Sequence, residues 1–372
     1  MRVTWLTNFE APYRVDFYNE LAKYCDLTML FFETKEQQTS REKKWFTSSE
    51  RLFRDIKLKQ TRLFKYQLCW DIKKYISNRD FDIFVLDSYY APTAIYAIYL
   101  LKRAKIPFVL SVDGGFIKSG KGVLEKVKKG LISSADFYLG SGKKAEEYLK
   151  FYGAPAEKIY EYPFTSIRKQ DIHSKLDYEQ TCSIKKKLNI LENQVILSVG
   201  RFIHSKGYDI LLKAAKLIDS DVGIYIIGGE AIPEYSLIIE KLNLKNIHFI
   251  PFQQKEKLKL YYSVADIFVL PTRSDVWGLV INEAMAHSLP VITTTQCIAG
   301  LELIKDGENG YLVEPDDEKG LAEKINLILH NESLRKKMSD VSKSRIGYYT
   351  IEEMAQQHIN CFDEVLLKQN EL

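Results

Sequence analysis

The sequence predicts an α/β protein built from two Rossmann-like domains facing a central cleft. Three observations predict it. The 372 residues exceed one ordinary hydrophobic core and suit two domains of roughly 170 to 190 residues each. Both halves alternate apolar runs with helical patterns, the mark of βα units and parallel sheets. Between the halves, residues 164 to about 182 are polar and aperiodic and read as a linker. The first domain is therefore placed at 1–175 and the second at 183–348.

In the first half the expected strands are VTWLT (3–7), LTMLFF (27–32), DIFVLD (82–87), FVLSVD (108–113), DFYLGS (136–141) and KIYEYP (158–163). Helical segments are expected near 14–24, 65–77, 91–104, 122–132 and 143–152. In the second half the strands fall near 195–199, 223–228, 247–250, 266–270, 290–294 and 311–313, with helices between them. Two further helices follow, near 332–345 and 351–368.

Composition narrows the function class. Hydrophobic residues make up 46% and charged residues 27%, the balance of a soluble globular protein rather than a membrane or disordered one. The longest apolar stretch of the first half, APTAIYAIYLL (91–101), is too short to cross a bilayer. The five cysteines (Cys25, Cys69, Cys182, Cys297, Cys361) form no CxxC pair, which argues against a zinc site and a disulfide framework and for a reducing, cytoplasmic location. Charge is uneven, +8 over residues 1–180 and −4 over the remainder, so an anionic partner is expected on the first half rather than nucleic acid across the whole chain. None of the six histidines has a partner at ligand spacing, so no metal and no cofactor is expected.

Chemistry concentrates in the second half. The run DIFVLP ends a buried strand at Pro271, and LVINEAMA (279–286) opens a helix after a short polar loop. Asp275 lies in the loop and Glu283 in the helix, at the carboxyl end of a strand, where open α/β sheets place ligands. The amides of Trp277, Gly278 and Leu279 face an anion at the helix start. An anion site flanked by carboxylates suits a phosphorylated sugar. Upstream, VILSVG ends in Gly200, whose freedom permits a sharp turn, and Arg201 and Lys206 leave that turn. A planar cation and a point cation together suit a diphosphate.

These stretches resemble the family 4 retaining glycosyltransferases of GT-B fold. The resemblance rests on VGRFIHSKG (199–207), the Asp275–Glu283 block and NGYLVEPDDEKGLAEKI (309–325). It is strong from about 195 to 330 and looser over the first 175 residues, which vary with the acceptor. It implies transfer of a sugar from a nucleotide diphosphate sugar, with a uridine nucleotide favoured, to a hydroxyl of a polysaccharide, lipopolysaccharide, capsule or lipid-linked acceptor. It assigns Arg201 and Lys206 to the donor diphosphate and Glu283 to the ribose hydroxyls. Asp275 stands where relatives carry Glu, and Asp113, in SVDGG (111–115), stands near a usual His beside the reacting sugar. Gly200, Gly228, the loop Val276, Trp277, Gly278, Leu279, and backbone around Phe252 complete the expected donor site. The resemblance also sends the helix at about 350–372 back to the first domain.

Two further features depart from the family, and others are read on their own. NFEAPYR (8–14) replaces a glycine-rich loop, and Arg14 there is read either as a ligand contact or as a plain helix-start residue. Ser288 replaces a helix-ending Gly, at a cost of about 1 kcal/mol if its φ is positive. Residues 118–129, KSGKGVLEKVKK, carry five lysines around Val123, Leu124 and Val127, which suits either a solvated helix or one resting on an anionic membrane; the basic, aromatic 41–59 supports the second reading. GSGKKA (140–145) fits a dinucleotide fingerprint but comes late in its domain, and DFD (80–82) and DSD (219–221) precede strands rather than follow them. The competing functions are a nucleotide-sugar epimerase or hydrolase of the same fold and a non-catalytic donor-binding subunit.

Overall fold

The computed structural model describes residues 1–33, 50–63, 66–117, 122–219, 221–230 and 232–370. It divides into two compact units, Met1–Ser166 with Thr350–Leu372, and Ile167–Tyr349. Residues 41–49 and 118–121 of the two basic stretches, and residue 220 of DSD, lie outside the described residues.

In the first unit the chain runs β1 (Arg2–Thr7), α1 (Pro12–Leu21), β2 (Asp26–Phe31), β3 (Arg54–Lys57), β4 (Thr61–Leu63), β5 (Tyr66–Leu68), α2 (Ile72–Asn78), β6 (Ile83–Leu86), α3 (Pro92–Arg103), β7 (Val109–Val112), α4 (Val123–Ile132), β8 (Phe137–Gly140), α5 (Lys143–Phe151) and β9 (Ile159–Glu161). The main sheet is parallel with order β3-β2-β1-β6-β7-β8-β9, and β4 and β5 form a separate antiparallel pair. Strands such as IFVL and VLSV are buried at every residue because helices cover both faces, so they read as continuous apolar runs.

The second unit continues with α6 (Tyr178–Leu188), β10 (Gln194–Val199), α7 (Tyr208–Ala215), β11 (Val222–Ile227), α8 (Pro233–Leu242), β12 (Ile247–Ile250), α9 (Lys255–Val264), β13 (Ile267–Leu270), α10 (Leu279–Ala286), β14 (Val291–Thr294), α11 (Ile298–Leu303), β15 (Gly310–Val313), α12 (Glu318–Leu329) and α13 (Glu332–Ile346). Its parallel sheet has order β12-β11-β10-β13-β14-β15. The order reverses between β10 and β13, and the carboxyl edge at such a switch point is where open α/β sheets place ligands. Helix α14 (Ile351–Asn370) belongs to the first unit, where it packs on α1.

Three sequence expectations need correction. The stretch read as a linker is not one. Residues 167–177 lie on the second unit, with the His173 amide donating to the Ala286 carbonyl (2.7 Å) and Asp171 paired with Lys259 (2.9 Å). Helix α6 then starts inside that stretch on a capping box formed by Asp177 and Gln180. The boundary therefore sits at Ser166, earlier than the 175 expected. The helix expected over 65–77 begins only at Ile72, because Tyr66–Leu68 pairs as a strand with Thr61–Leu63. Edge strand β3, sequence RDIK, was not anticipated because its residues are mostly exposed and lack the apolar signature.

Candidate donor-binding site

Gly200 ends β10 with φ 155°, and a Cβ there would lie 2.8 Å from the Tyr208 hydroxyl. Gly228 ends neighbouring β11 with φ 145°, and a Cβ on it would sit 2.1 Å from the Gly200 carbonyl. Two bare backbones thus touch at the strand ends, which no side chain permits. From the Gly200 turn Arg201 points outward, exposed, and among the described residues its guanidinium has no ion-pair partner. A short turn, His204–Lys206, then reverses at Gly207 (φ 67°) into α7. A Cβ on Gly207 would strike the Pro271 carbonyl at 2.0 Å, so the turn is pressed directly on the loop after β13.

Arg273 binds these two loops together. Its Nη1 and Nη2 donate to Asp209 at 2.8 and 2.7 Å, its Nε to Asp316 at 2.7 Å, and Nη1 also to the His204 carbonyl at 2.8 Å. Its backbone amide and the Thr272 hydroxyl both donate to the Ser205 carbonyl at 2.7 Å. Asp209's hydrogen bonds from Arg273 outweigh its burial and hold its carboxyl below the usual range. The result is a fixed platform that brings Lys206 Nζ onto Asp275 Oδ2. Those two side chains are only 15% and 17% exposed.

Beyond Asp275 the chain passes an exposed Val276 and a buried Trp277, whose indole N–H donates to Asn282 at 3.0 Å. Gly278 (φ 103°) then starts α10 with no side-chain cap, leaving the helix's first amides facing the loop. A Cβ on Gly278 would lie 2.9 Å from Cys297 Sγ and 3.4 Å from Asp275 Oδ2, so its glycine is required by space as well as by φ. Glu283 lies in the second turn of α10, half-buried. The buried Tyr262 hydroxyl donates to its Oε2 at 2.9 Å. Burial pushes the Glu283 carboxyl up, while Tyr262 pulls it part of the way back. Phe252, just past β12, is half-buried. Ser288 does adopt the left-handed conformation (φ 55°), and its hydroxyl donates to the His173 carbonyl at 2.7 Å.

Sequence reading missed Arg273, Asp209 and Tyr262. Arg273 has no motif around it; Tyr262 sits on α9, apart in sequence from the acid it orients. Asp113 lies in the first unit. One of its oxygens accepts from Tyr162 (2.9 Å) and the other from Arg14. Arg14 in turn pairs with Asp87 at 2.6 Å, whose second oxygen accepts from the Trp5 indole at 2.7 Å. Burial alone would lower the Arg14 pKa, but Asp113 and Asp87 overcome it and raise it. Arg14 is therefore an interior member of a carboxylate–guanidinium–carboxylate chain. Asp87 ends an apolar strand as Asp113 does, a signal that was equally readable in both.

Residues 181–345 match the family model described as glycosyl transferases group 1. An uncharacterized glycosyltransferase of Haemophilus influenzae is 32% identical over 179 residues, 46% of this chain and 50% of that protein, so the chain spans about half the length of that relative in the match. The N,N'-diacetylbacillosaminyl-diphospho-undecaprenol alpha-1,3-N-acetylgalactosaminyltransferase of Campylobacter jejuni is 22% identical over 79% of this chain and 80% of its own. Among solved structures, Anabaena Alr3699/HepE in complex with UDP covers 98% of this chain and 100% of its own at TM-score 0.79 and 16% identity, a likeness of fold. The chain has a GT-B fold, and its residues 181–345 match the model of the glycosyl transferases group 1.

Proposed function

We propose that the chain transfers one sugar from a nucleotide diphosphate sugar, with uridine as the favoured nucleotide, to a hydroxyl of a surface-glycan or lipid-linked acceptor, with retention at the anomeric carbon. What supports this reading is the Lys206–Asp275 pair beside the uncapped start of α10, with Arg201 leaving the Gly200 turn, at the switch point of the second sheet. The names of the relatives support it: one acts on a diphospho-undecaprenol substrate, and one structural neighbour holds UDP.

In this scheme Arg201 forks across two diphosphate oxygens and Lys206 shifts from Asp275 toward the phosphate, while the first amides of α10 complete the charge balance. Glu283 keeps one oxygen on Tyr262 and offers the other to a ribose hydroxyl. As the bond from the anomeric carbon to the phosphate oxygen breaks, its electron pair goes to the diphosphate. The acceptor hydroxyl attacks from the same face and gives its proton to that departing oxygen. Charge stabilisation of the leaving group is then the principal contribution of the protein. Asp275, freed as Lys206 moves, accepts from a sugar hydroxyl; Asp113 remains a candidate for the acceptor side. No step calls for a metal ion, and chelator-treated protein is expected to keep its turnover.

The test is turnover of uridine and guanosine diphosphate sugars with polyprenyl-diphosphate-linked glycan acceptors. Arg201→Ala and Lys206→Ala are each expected to lower kcat by about 100-fold or more with the fold retained. Near-normal turnover in both variants would refute the assignment. Conversion of the donor sugar with no acceptor present would move the reading to an epimerase.

A further inference from the structure

Helix α3 leaves the carboxyl edge of the first sheet after Asp87 and runs about 18 Å toward the opposite edge, where β7 begins. Its inner face is buried through Thr93, Ala94, Ala97, Ile98 and Leu101. At 3.6 residues per turn, Ile95, Tyr96, Tyr99, Lys102 and Arg103 share an outer arc of about 120°. Tyr99 is 55% exposed and Ile95 38%, and the helix carries no acid. Helix α2 runs alongside in the same direction. Trp70, just before its start, meets Tyr96 edge-on at 5.2 Å, and Arg79, at its end, donates to the Ala104 carbonyl at 3.0 Å. Trp70 is itself 52% exposed. Where α3 ends, Lys102, Lys105, Ile106, Pro107 and Asp136 line a cleft of about 290 Å³. Asp136 accepts from the Phe108 amide at 3.2 Å. Lys102 and Lys105 are exposed, and among the described residues neither has an ion-pair partner.

We infer that this face binds an acidic polysaccharide, whose sugar rings lie on Trp70 and Tyr99 and whose anionic groups meet Lys102 and Lys105 in the cleft. Trp and Tyr offer a flat apolar face with a polar rim, which matches the C–H face and the hydroxyl rim of a sugar ring. Lys102 lies one turn beyond Tyr99 on the same arc, so stacking and charge can act on one extended chain. The dipole of α3 favours cations in its last turn, but it accounts neither for Lys105 beyond that turn nor for the rings before it. Two free lysines against one engaged carboxylate favour an anionic sugar over a neutral one. The same face of a second copy would bring the same cations and be repelled. The choice of ligand rests on the reading of a glycan acceptor, but the binding itself needs neither donor nor transfer.

The test is isothermal titration calorimetry of the full chain, without nucleotide, against galacturonic acid oligomers and against neutral galactose oligomers of equal length. The wild type is expected to bind the acidic oligomers about tenfold more tightly, since each partly exposed charge pair is worth about two- to fivefold. Lys102→Gln with Lys105→Gln is expected to remove that preference and leave neutral binding within about twofold of wild type. Trp70→Ala and Tyr99→Ala are each expected to weaken both ligands by about fivefold. These side chains are exposed, so unchanged melting temperatures are expected and separate loss of binding from loss of fold. A wild type that binds neither ligand, or both alike, overturns the inference, as do variants that bind as the wild type does. So does binding to phosphatidylglycerol vesicles alone that Tyr99→Ala abolishes, or a dimer in gel filtration that Tyr99→Ala dissociates, because the occupant would then be a bilayer or another copy of the chain. A chain that binds the acidic oligomers yet transfers no sugar would refute the reaction and leave this binding standing.

Discussion

Replacing Arg273 by alanine removes the clasp between the Lys206 turn and the Asp275 loop, and its cost can be worked from the geometry. Two charge-assisted hydrogen bonds to Asp209 disappear, between side chains only 17% and 12% exposed. Breaking a fully buried pair costs about 3–5 kcal/mol, but Lys213 remains 3.6 Å from Asp209 and compensates in part. The Asp316 bond adds little, because that carboxylate is 57% exposed. The balance is a loss of about 3 kcal/mol, which for a unit of this size lowers the melting temperature by about 6–12 °C. Differential scanning calorimetry of the whole chain, following the transition of the second unit, reads it. Arg273→Lys should recover less than half, since an ammonium cannot span both Asp209 oxygens. Asp316→Ala should cost less than about 1 kcal/mol. The sign with pH is also set. Asp209 is held below its ordinary pKa of 3.8, so the pair's contribution is complete above that pH and is lost as pH falls through the lower folded value. The difference between wild type and Arg273→Ala should therefore shrink in strong acid. An alanine variant that melts with the wild type at neutral pH, or a lysine variant that fully replaces arginine, refutes the reasoning.

Other outcomes follow from the same geometry. Gly207→Ala and Gly228→Ala each force a Cβ to within 2.0 and 2.1 Å of a backbone carbonyl at positive φ, and each should cost more than about 3 kcal/mol in urea unfolding. His358 is fully buried, with Nδ1 donating to the Met354 carbonyl at 2.7 Å and Nε2 unpartnered, and burial lowers its pKa to about 4 from an ordinary 6.5. The unfolded chain takes up that proton more readily, so stability should fall as pH drops from 6.5 toward 4, by about 3 kcal/mol for this group. His358→Phe should flatten that part of the acid profile, which pH-dependent unfolding of the variant checks. Tyr262→Phe should leave Glu283 without its orienting donor and raise KM for the donor sugar several-fold with a smaller effect on kcat, measured by steady-state kinetics.

The parallel strands were legible because burial on both faces makes each a continuous apolar run, and the α10 segment matched the expected 279–286 at both ends. The candidate site residues could be picked out in the sequence because Gly200, Lys206 and Asp275 follow strand ends that the topology makes neighbours. What escaped the sequence reading was held by backbone or by distance. The 167–177 segment has no apolar period, yet its amide and carbonyl groups bond to α10 and its neighbours. Arg273 meets Asp209 across 64 residues of sequence, and Arg14 meets Asp113 across 99. No local spacing encodes either pair.

Helix α14 gives the first unit an interrupted order of assembly. Trp5 and Phe17, made before the whole of Ile167–Tyr349, pack against His358 and Phe362, made after it. On the ribosome the later-made unit can therefore close first, while the earlier one waits with an aromatic wall uncovered. A stop codon just before Ile351 would leave that wall bare and send the nascent chain to chaperones and proteases, even though every residue of the second unit had been made.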